Sequence, residues 1–398
     1  MSRALFVNIP AHGHVNPTLP LVGELVARGE RVEYALTPDF EPAVQQAGAR
    51  LLPYDSTLPT ALVPSVDRAA GFRLPTRLLE DTIHVLPQLL DAVAGDPPDY
   101  VVHDPFSVAA RLLADRLGLP RVQTHCTYVF DEASMQHPAF RRLTQWAQGM
   151  QPSEEFEKAR RELADRFGAD LPGMRDIFLH AAPFNVVFIP RAFQPGGDDF
   201  DERWAFVGPS IGPRGDGQDG GLLGELDRIG DGPLLFISLG TVFNEQLPFY
   251  RTVLEAFAGT EWKVLLAVGS RIDIDAVGPA PPNAIVRRFV PQIDVLARAR
   301  AFVTHGGMNS TMEAIMAEVP LVVVPQMPEQ GVTADRVAEL GLGVQLDPGQ
   351  AIASTLVKAV TEVASDEGVR SRLGAMREAS AEAGGPARAA EQILAHVP

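Results

Sequence analysis

The segment 305–313 reads H-G-G-M-N-S-T-M-E, and these residue types at this spacing could bind a phosphate and a neighbouring diol. The two glycines let the backbone turn tightly after His305, and Asn309 and Ser310 then stand at the start of a stretch with helical composition. Free N–H groups at a helix N-terminus attract phosphate. Glu313 lies four residues after Asn309 on the same helical face and can reach an adjacent hydroxyl. A nucleotide-sugar presents this pair of groups, but Asn309 and Ser310 would also suit an ordinary helix cap, and spacing alone leaves both interpretations open.

A second group of reactive residues lies near the start of the chain, where 12–17 reads H-G-H-V-N-P. Histidine can take a proton near neutral pH if a carboxylate fixes its tautomer and stabilises the imidazolium. His12 and His14 are both candidates for such a base. Asp104 follows another predicted strand and would supply the carboxylate, because the carboxyl ends of parallel strands share one edge of a sheet. A loop histidine is often only polar surface, however, and D-P is a common turn.

Short apolar strands alternate with helical segments and place both groups at strand ends. Strands are predicted at 4–9, 31–36, 49–54, 100–103, 121–124 and 185–189, and again at 234–238, 263–268, 285–287, 301–304 and 321–324. Helices are predicted at 19–28, 41–47, 76–94 (interrupted near Pro87), 107–117, 138–150, 153–167, 248–258 and 308–318. This alternation predicts parallel sheets with crossover helices.

The chain is long enough for two domains with real cores. The region 208–232 is dense in Gly, Pro and Asp and is typical of a linker. We therefore expect a first domain at 1–207, a second at 233–380, and a helical tail at 381–398.

Composition excludes several classes of partner. The 34 basic and 50 acidic residues give a net charge of −16, which would repel a phosphate backbone, so we expect no nucleic-acid partner. The single cysteine, Cys126, excludes an internal disulfide and offers no metal cluster. The chain starts on a strand rather than a signal peptide, and no apolar run approaches the ~20 residues that span a bilayer. We expect a cytoplasmic protein without membrane attachment.

Other chemistries lack their motifs. A serine hydrolase would need a G-x-S-x-G elbow, and a dinucleotide-binding fold would need G-x-G-x-x-G after an opening strand. A metal site built from residues 12–14 with His103 or His305 would need further Cys or carboxylate ligands, which the loops of the first half lack.

Three motifs resemble the donor-binding signature of the UDP-glycosyltransferase superfamily: F-V-P-Q at 289–292, H-x-G-x-N-S-x-x-E at 305–313, and P-x-x-x-[DE]-Q at 325–330. From A-H-G-H-V-N-P to E-A-G-G, nearly the whole chain resembles the bacterial macrolide-type glycosyltransferases. The resemblance implies an α/β fold of the GT-B class, with two facing Rossmann-like domains and the active site in the cleft between them. The domain 1–207 would bind the acceptor and 233–380 the donor, while the tail 381–398 would pack back on the first domain.

The resemblance also implies roles for individual residues. Glu313 would bind the ribose hydroxyls, and Gln292 with the Val290 backbone would read the uracil edge. The diphosphate and its loop would be contacted by Ser238, Thr241, His305, Gly307, Asn309 and Ser310, and the sugar hydroxyls by Glu329 and Gln330. Phe289 replaces the tryptophan that stacks on the base in the plant form, and a phenyl face can still stack. Glu329 stands where an aspartate is common, so glucose need not be the only sugar.

In this family the catalytic base stands three residues before the proline of H-x-x-P, which is His14 before Pro17. Asp104 would orient His14, and His12 would shape the loop. The acceptor would lie over His14, with candidate walls at Phe72, Ile83, His125, Tyr128, Phe130, Met135, Phe140 and Phe243. As a set these residues indicate a flat hydrophobic alcohol or phenol, although each one also fits a core position.

We therefore expect an inverting, metal-independent glycosyltransferase that moves glucose from UDP-glucose onto a macrolide, flavonoid or other phenol. The UDP-sugar would be a co-substrate, and no cofactor is expected. Two alternatives remain at this point. One is a UDP-sugar epimerase of the same fold, which would convert the donor without an acceptor. The other is a silent subunit that binds nucleotide-sugars without transferring them.

Overall fold

The computed structural model describes residues 2–58, 73–147, 151–168, 171, 173–212, 221–240 and 244–397. The chain divides into two compact units. The first unit comprises Met1–Pro213 and Ser380–Pro398, and the second comprises Arg214–Ala379.

The first unit is built on a seven-stranded sheet in the order β3-β2-β1-β4-β5-β6-β7, and every described pairing is parallel. Its strands are β1 Arg3–Val7, β2 Arg31–Leu36, β3 Arg50–Pro53, β4 Tyr100–His103, β5 Arg121–His125, β6 Phe184–Val187 and β7 Trp204–Phe206. Its helices before the second unit are α1 His12–Val15, α2 Thr18–Ala27, α3 Glu41–Gln46, α4 Leu74–Val93, α5 Val108–Leu117, α6 Arg141–Ala147, α7 Glu154–Phe167 and α8 Met174–Leu179.

The second unit is built on a six-stranded parallel sheet in the order β10-β9-β8-β11-β12-β13. Its strands are β8 Leu234–Ser238, β9 Lys263–Ala267, β10 Ala284–Arg287, β11 Ala299–Thr304, β12 Leu321–Val323 and β13 Gly343–Gln345. The helices that follow in the chain are α9 Leu222–Arg228, α10 Leu247–Phe257, α11 Ile274–Val277, α12 Gln292–Leu296, α13 Met308–Met316, α14 Pro328–Glu339, α15 Ala353–Ser365, α16 Glu367–Glu382 and α17 Gly385–His396.

Both sheets are buried on their two faces, as continuous apolar strands require. In the first unit, Phe6 and Tyr34 pack with helix α2 on one face, while Leu5 and Val101 pack with α4 and α5 on the other. In the second unit, β8, β9 and β11 pack against α10 and α15. The prediction of two parallel Rossmann-like α/β sheets is confirmed.

The last helix, α17, packs on the first unit. Ala389, Ala390 and Ile393 are fully buried in the cluster that contains Leu21 and Leu25 of α2. The ring of His396 stacks on Phe184 of β6, with ring centroids 3.7 Å apart. The chain therefore returns to its first sheet after completing the second.

The structure differs from the predicted elements at helix α4 and in the region 208–232. Helix α4 continues through Pro87, where we expect an interruption. Proline removes one helical hydrogen bond, but the buried side chains of Val85, Leu86 and Leu89 on both sides of it hold the helix against the sheet.

The predicted linker 208–232 includes the division between the two units, and it also contains a helix that we do not predict, α9. Leu222 and Leu226, one helical turn apart, are 3% and 1% exposed, and Glu225 forms an ion pair with Arg287 of β10. The surrounding glycines and aspartates obscure this short apolar spacing in the sequence.

Candidate active site

His14 and Asp104 meet at the carboxyl edge of the first sheet. Strands β1 and β4 are neighbours, with Val7 opposite His103, so the residues that follow the two strands lie together. The Nδ1 atom of His14 contacts Oδ2 of Asp104. The other carboxylate oxygen, Oδ1, accepts a hydrogen bond of 2.7 Å from the backbone N–H of Phe106. Both oxygens of Asp104 are therefore engaged, and one of them fixes the His14 ring.

The surroundings of His14 strengthen it as a base. The side chain of His14 is 19% exposed and that of Asp104 is 2% exposed. Burial lowers the pKa of His14, but the charges and hydrogen bonds of Asp104 and Cys126 raise it, and the resulting pKa lies well above the ordinary value. When neutral His14 donates Nδ1–H to Asp104, its lone pair is on Nε2, the atom that can take a proton from a substrate.

Cys126 is a neighbour of this pair that sequence analysis does not identify. Its Sγ lies 3.7 Å from His14 Nδ1. Cys126 follows β5 directly, as Asp104 follows β4, and these strands pair in the sheet. Its position after a predicted strand was a usable signal, but the order of the strands was needed to place it beside His14.

The structure separates the two candidate histidines. His12 is exposed, and its ring lies 4.8 Å from the ring of Phe40 rather than against Asp104. Within the described ranges, His, Cys, Asp and Glu side chains form no group of three or more that could hold a metal ion.

The predicted acceptor residues fall into different environments. Phe140 is fully buried and Tyr128 is 2% exposed, and with Phe193 they form an aromatic cluster, so both are core residues. The ring of His125 lies 5.3 Å from that of Trp204, and its Nε2 lies 3.5 Å from Asn185 Oδ1. His125 therefore contacts side chains of strands β7 and β6 within the first sheet. Three candidates are only half-buried, namely Ile83, Phe130 and Met135. Phe72 and Phe243 lie outside the described residues.

In the second unit, His305 is enclosed by two glycine turns, one after β8 and one after β11. A Cβ atom at Gly240 would lie 2.5 Å from His305 Cε1, and one at Gly307 would lie 2.5 Å from Nε2. Only glycine permits these approaches, and this explains the residue spacing in both loops. Burial lowers the pKa of His305 to about 4, despite a hydrogen bond with the Ser238 backbone that raises it. His305 is therefore neutral at pH 7.

Three predicted donor residues form one hydrogen-bonded group beside helix α13. Gln292 Nε2 donates to Ser310 Oγ at 3.0 Å and to Glu313 Oε2 at 2.6 Å. Glu313 is only 3% exposed, so Gln292 stabilises a buried carboxylate. Asn309 and Ser310, at the start of the same helix, are partly exposed. The helix N-terminus thus presents its N–H groups next to a carboxylate of fixed orientation.

The other predicted donor residues lie on a loop, in helix α14 and at the end of strand β8. Phe289 is 62% exposed, unusual for a large apolar ring, and the adjacent Val290 is half-buried. Gln330 is buried in helix α14, next to the half-buried Glu329, and its Oε1 accepts a bond of 2.8 Å from the Gln326 backbone. Ser238 accepts a hydrogen bond from the Gly240 N–H at 3.2 Å. Thr241 lies outside the described residues.

Comparison with known proteins decides the family. Residues 251–396 match the model of the erythromycin biosynthesis protein CIII-like C-terminal domain. Over 397 residues the chain is 41% identical to the NDP-glycosyltransferase YjiC of Bacillus licheniformis, covering 98% of this chain and 96% of that one. It is 36% identical to the demethyllactenocin mycarosyltransferase of Streptomyces fradiae, with 99% and 86% covered. The chain belongs to the bacterial macrolide-type glycosyltransferases.

The structure of the calicheamicin glycosyltransferase CalG4 is similar to this glycosyltransferase throughout. The TM-score is 0.82 at 36% identity, and the match covers 100% of this chain and 98% of the other. The predicted GT-B fold class is confirmed. In the described part of the glycosyltransferase, no helix combines the length and apolar character needed to cross a membrane.

Asn244 is a second residue of the glycosyltransferase that sequence analysis does not identify. It is fully buried, and its Nδ2 donates to the Gly240 carbonyl at 2.9 Å. A Cβ atom at Gly269 would lie 1.8 Å from Asn244 Nδ2, so Gly269 makes room for this amide. Asn244 therefore fixes the turn that encloses His305. An asparagine after a glycine-containing loop gives no distinctive signal in a single sequence.

Proposed function

We propose that this glycosyltransferase transfers glucose from UDP-glucose, with inversion and without a metal ion, to a hydroxyl of a small hydrophobic natural product. The contact between His14 and Asp104 carries the proposal. Nε2 of His14 takes the proton of the acceptor hydroxyl while the acceptor oxygen bonds to the anomeric carbon. The bond from that carbon to the β-phosphate oxygen breaks, and its electron pair leaves with UDP. Asp104 stabilises the imidazolium that forms.

The donor residues support a nucleotide diphosphate as the leaving group. The N–H groups of Asn309 and Ser310 lie at the positive end of helix α13, where developing negative charge is stabilised. A neutral His305 contributes hydrogen bonding to the phosphates rather than charge. Because the helix terminus supplies this stabilisation, we propose that neither a divalent cation nor a cofactor is needed.

The nucleoside would be held at both of its ends. The exposed ring of Phe289 offers a stacking surface for uracil, and Glu313 offers a carboxylate for the ribose diol. The Glu329-Gln330 pair would bind the sugar hydroxyls.

The acceptor class is proposed from the relatives and the local surroundings. Two relatives are named for macrolide substrates, demethyllactenocin and oleandomycin. The ring centroid of Phe106 lies 5.4 Å from that of His14, and the ring of Phe178 lies against Phe106 at 5.7 Å. These aromatic rings would suit such an apolar acceptor. Macrolides are therefore the first acceptors to test, with flavonoids and simple phenols next.

The test is UDP release from UDP-glucose in the presence of EDTA, with macrolides, flavonoids and phenols as acceptors and the product mass measured. Acceptor-dependent release with a product heavier by one hexose is expected. Release that needs added Mg²⁺ would refute the metal-free mechanism. Transfer only from thymidine-linked sugars would refute the choice of UDP-glucose while leaving the transferase intact.

A further inference from the structure

A row of buried polar side chains crosses the first sheet at strands β4, β5 and β6. His103 pairs with Gln123, and Gln123 pairs with Asn185, so the three side chains stand next to each other on one face. They are 1%, 0% and 0% exposed. The same face is apolar where Leu5 and Val101 pack with α4 and α5. This polar row interrupts an otherwise hydrophobic layer.

The hydrogen bonding of this row is incomplete. Asn185 is satisfied, because its amide exchanges bonds of 2.9 and 3.0 Å with the Ala182 backbone. Within the described part of the chain, Gln123 Oε1 and Nε2 and His103 Nε2 have no hydrogen-bond partner. Buried polar atoms are nearly always paired, with protein, with water or with a bound group. The row is therefore one wall of a polar site.

Two arginines border the same site. Arg121 of β5 and Arg111 of α5 share one carboxylate, with Nε of each at 3.3 and 3.9 Å from Asp115. The arginine side chains are 14% and 17% exposed, whereas that of Asp115 is 51% exposed. Arg121 Nη1 and Arg111 Nε have no hydrogen-bond partner among the described residues. The site therefore has more buried donors than the half-exposed carboxylate of Asp115 can satisfy.

His180, which follows helix α8, adds a further unpaired atom, Nε2, among the described residues. Burial, together with the charges of Arg111, Arg121 and His103, lowers the pKa of His180 to about 3, so these side chains act on one another. Asp176 is the other carboxylate that acts on Arg111, and it is exposed.

The tautomer of His103 restricts what can bind. Its Nδ1 lies 2.9 Å from the carbonyl oxygen of Asp104, which can only accept, so Nδ1 carries the proton. Burial lowers the pKa of His103 to about 4, and the ring is neutral at pH 7 with an accepting lone pair on Nε2. A ligand must therefore accept from the guanidinium and amide N–H groups and also donate one hydrogen bond to His103.

We propose that this cluster binds a small protonated oxyanion, of the hydrogenphosphate or bicarbonate class. Arg111, Arg121 and Gln123 donate to its oxygens, and its O–H donates to Nε2 of His103. The site lies on the sheet below the reacting groups and shares none of the proposed donor residues. Its occupation would stabilise the end of β4, from which Asp104 extends.

The test is thermal unfolding of the full chain at fixed pH and ionic strength, with sodium chloride replaced by phosphate or by bicarbonate. Saturating UDP is present throughout, so that phosphate does not act at helix α13. We expect the unfolding midpoint to rise by about 3 °C in at least one oxyanion over chloride. Arg121→Gln should abolish the increment. Arg203→Gln, which alters a 59% exposed arginine paired with Asp201, should retain it.

Gln123→Leu distinguishes a bound anion from water or an unoccupied site, and it decides the question even if Arg121→Gln fails to fold. With an anion bound, this variant should lose the oxyanion increment and unfold below the wild type in that salt. Replacing an unsatisfied amide with an apolar side chain should otherwise be neutral or stabilising. A Gln123→Leu variant as stable as the wild type in every salt would overturn the proposal. Equal wild-type midpoints in all three salts would overturn it too.

Discussion

Replacing Asp104 with asparagine removes one negative charge from the His14 pair while keeping the side-chain shape. Asp104 is 2% exposed, so solvent screens this charge weakly. Two unit charges about 4 Å apart interact by about 4 kcal/mol at an effective dielectric constant of about 20. If that stabilisation applies to the imidazolium formed during transfer, kcat/KM should fall by up to about a thousandfold.

The same substitution should shift the pH profile of the enzyme. Asp104 and Cys126 raise the pKa of His14 against the opposing effect of burial. Removing the Asp104 charge lowers that pKa, so His14 stays neutral to a lower pH. A base must be neutral to act, and the acid limb of kcat/KM should therefore move to lower pH while the plateau falls.

The assay is UDP release at subsaturating acceptor from pH 5 to 9, for the wild type and Asp104→Asn. Asp96→Asn is the matched control, because Asp96 is 63% exposed and pairs with Arg31 at the surface. The control should change neither the plateau nor the limb. A lower plateau with an unmoved acid limb would mean that Asp104 only supports the fold, and would refute the electrostatic reasoning.

Four further predictions concern residues of the candidate sites in the two units. His14→Ala should lower kcat by at least about a hundredfold and leave the affinity for UDP, measured by calorimetry, unchanged. His12 is exposed and does not contact Asp104, so His12→Ala should keep most of the activity. The opposite ranking would assign the base to His12. Phe289→Ala should weaken UDP binding about tenfold, because it removes the stacking surface for the base. The unfolding midpoint should not change, because the ring is 62% exposed. Unchanged affinity for UDP would argue against stacking. Gln292→Leu removes a hydrogen-bond donor to the buried carboxylate of Glu313. It should therefore weaken UDP binding and lower the free energy of unfolding, measured in denaturant, by about 2 kcal/mol. A variant as stable as the wild type would show that another donor takes the place of Gln292. Alkylation of Cys126 with iodoacetamide should inactivate the enzyme, because its Sγ lies 3.7 Å from His14 Nδ1. Cys126→Ala should stay active and should not be inactivated by iodoacetamide. An alkylated wild-type enzyme with full turnover would contradict this geometry.

Sequence patterns predicted the elements that carry local signals. The strand before His305 and the helix after it could be placed because the apolar run, the two glycines and the helical composition follow one another directly. The amide of Gln292 could not be placed against Ser310 and Glu313 in this way. Ser310 and Glu313 are 18 and 21 residues after Gln292 and lie on another helix, so the contact depends on how the two helices pack.

The weakest predictions were those that required side-chain burial. Phe140 and Phe130 have the same chemistry in the sequence, yet Phe140 is fully buried and Phe130 is half-buried. The polar row of His103 and Gln123 could not be predicted either, because the two residues are 20 positions apart in the sequence and only the pairing of β4 with β5 joins them. Strand order is a long-range property, which local periodicity does not encode.

His14 and His305 show how environment divides one residue type between two tasks. His305 directly follows strand β11, and His14 lies on the segment that follows strand β1. Burial lowers the pKa of each histidine. At His14, Asp104 and Cys126 reverse that effect and leave a ring that holds a proton strongly, as a base needs. At His305, the hydrogen bond with the Ser238 backbone does not outweigh burial, and the ring stays neutral. The carboxylate after β4, rather than the histidine itself, therefore determines which ring can remove a proton.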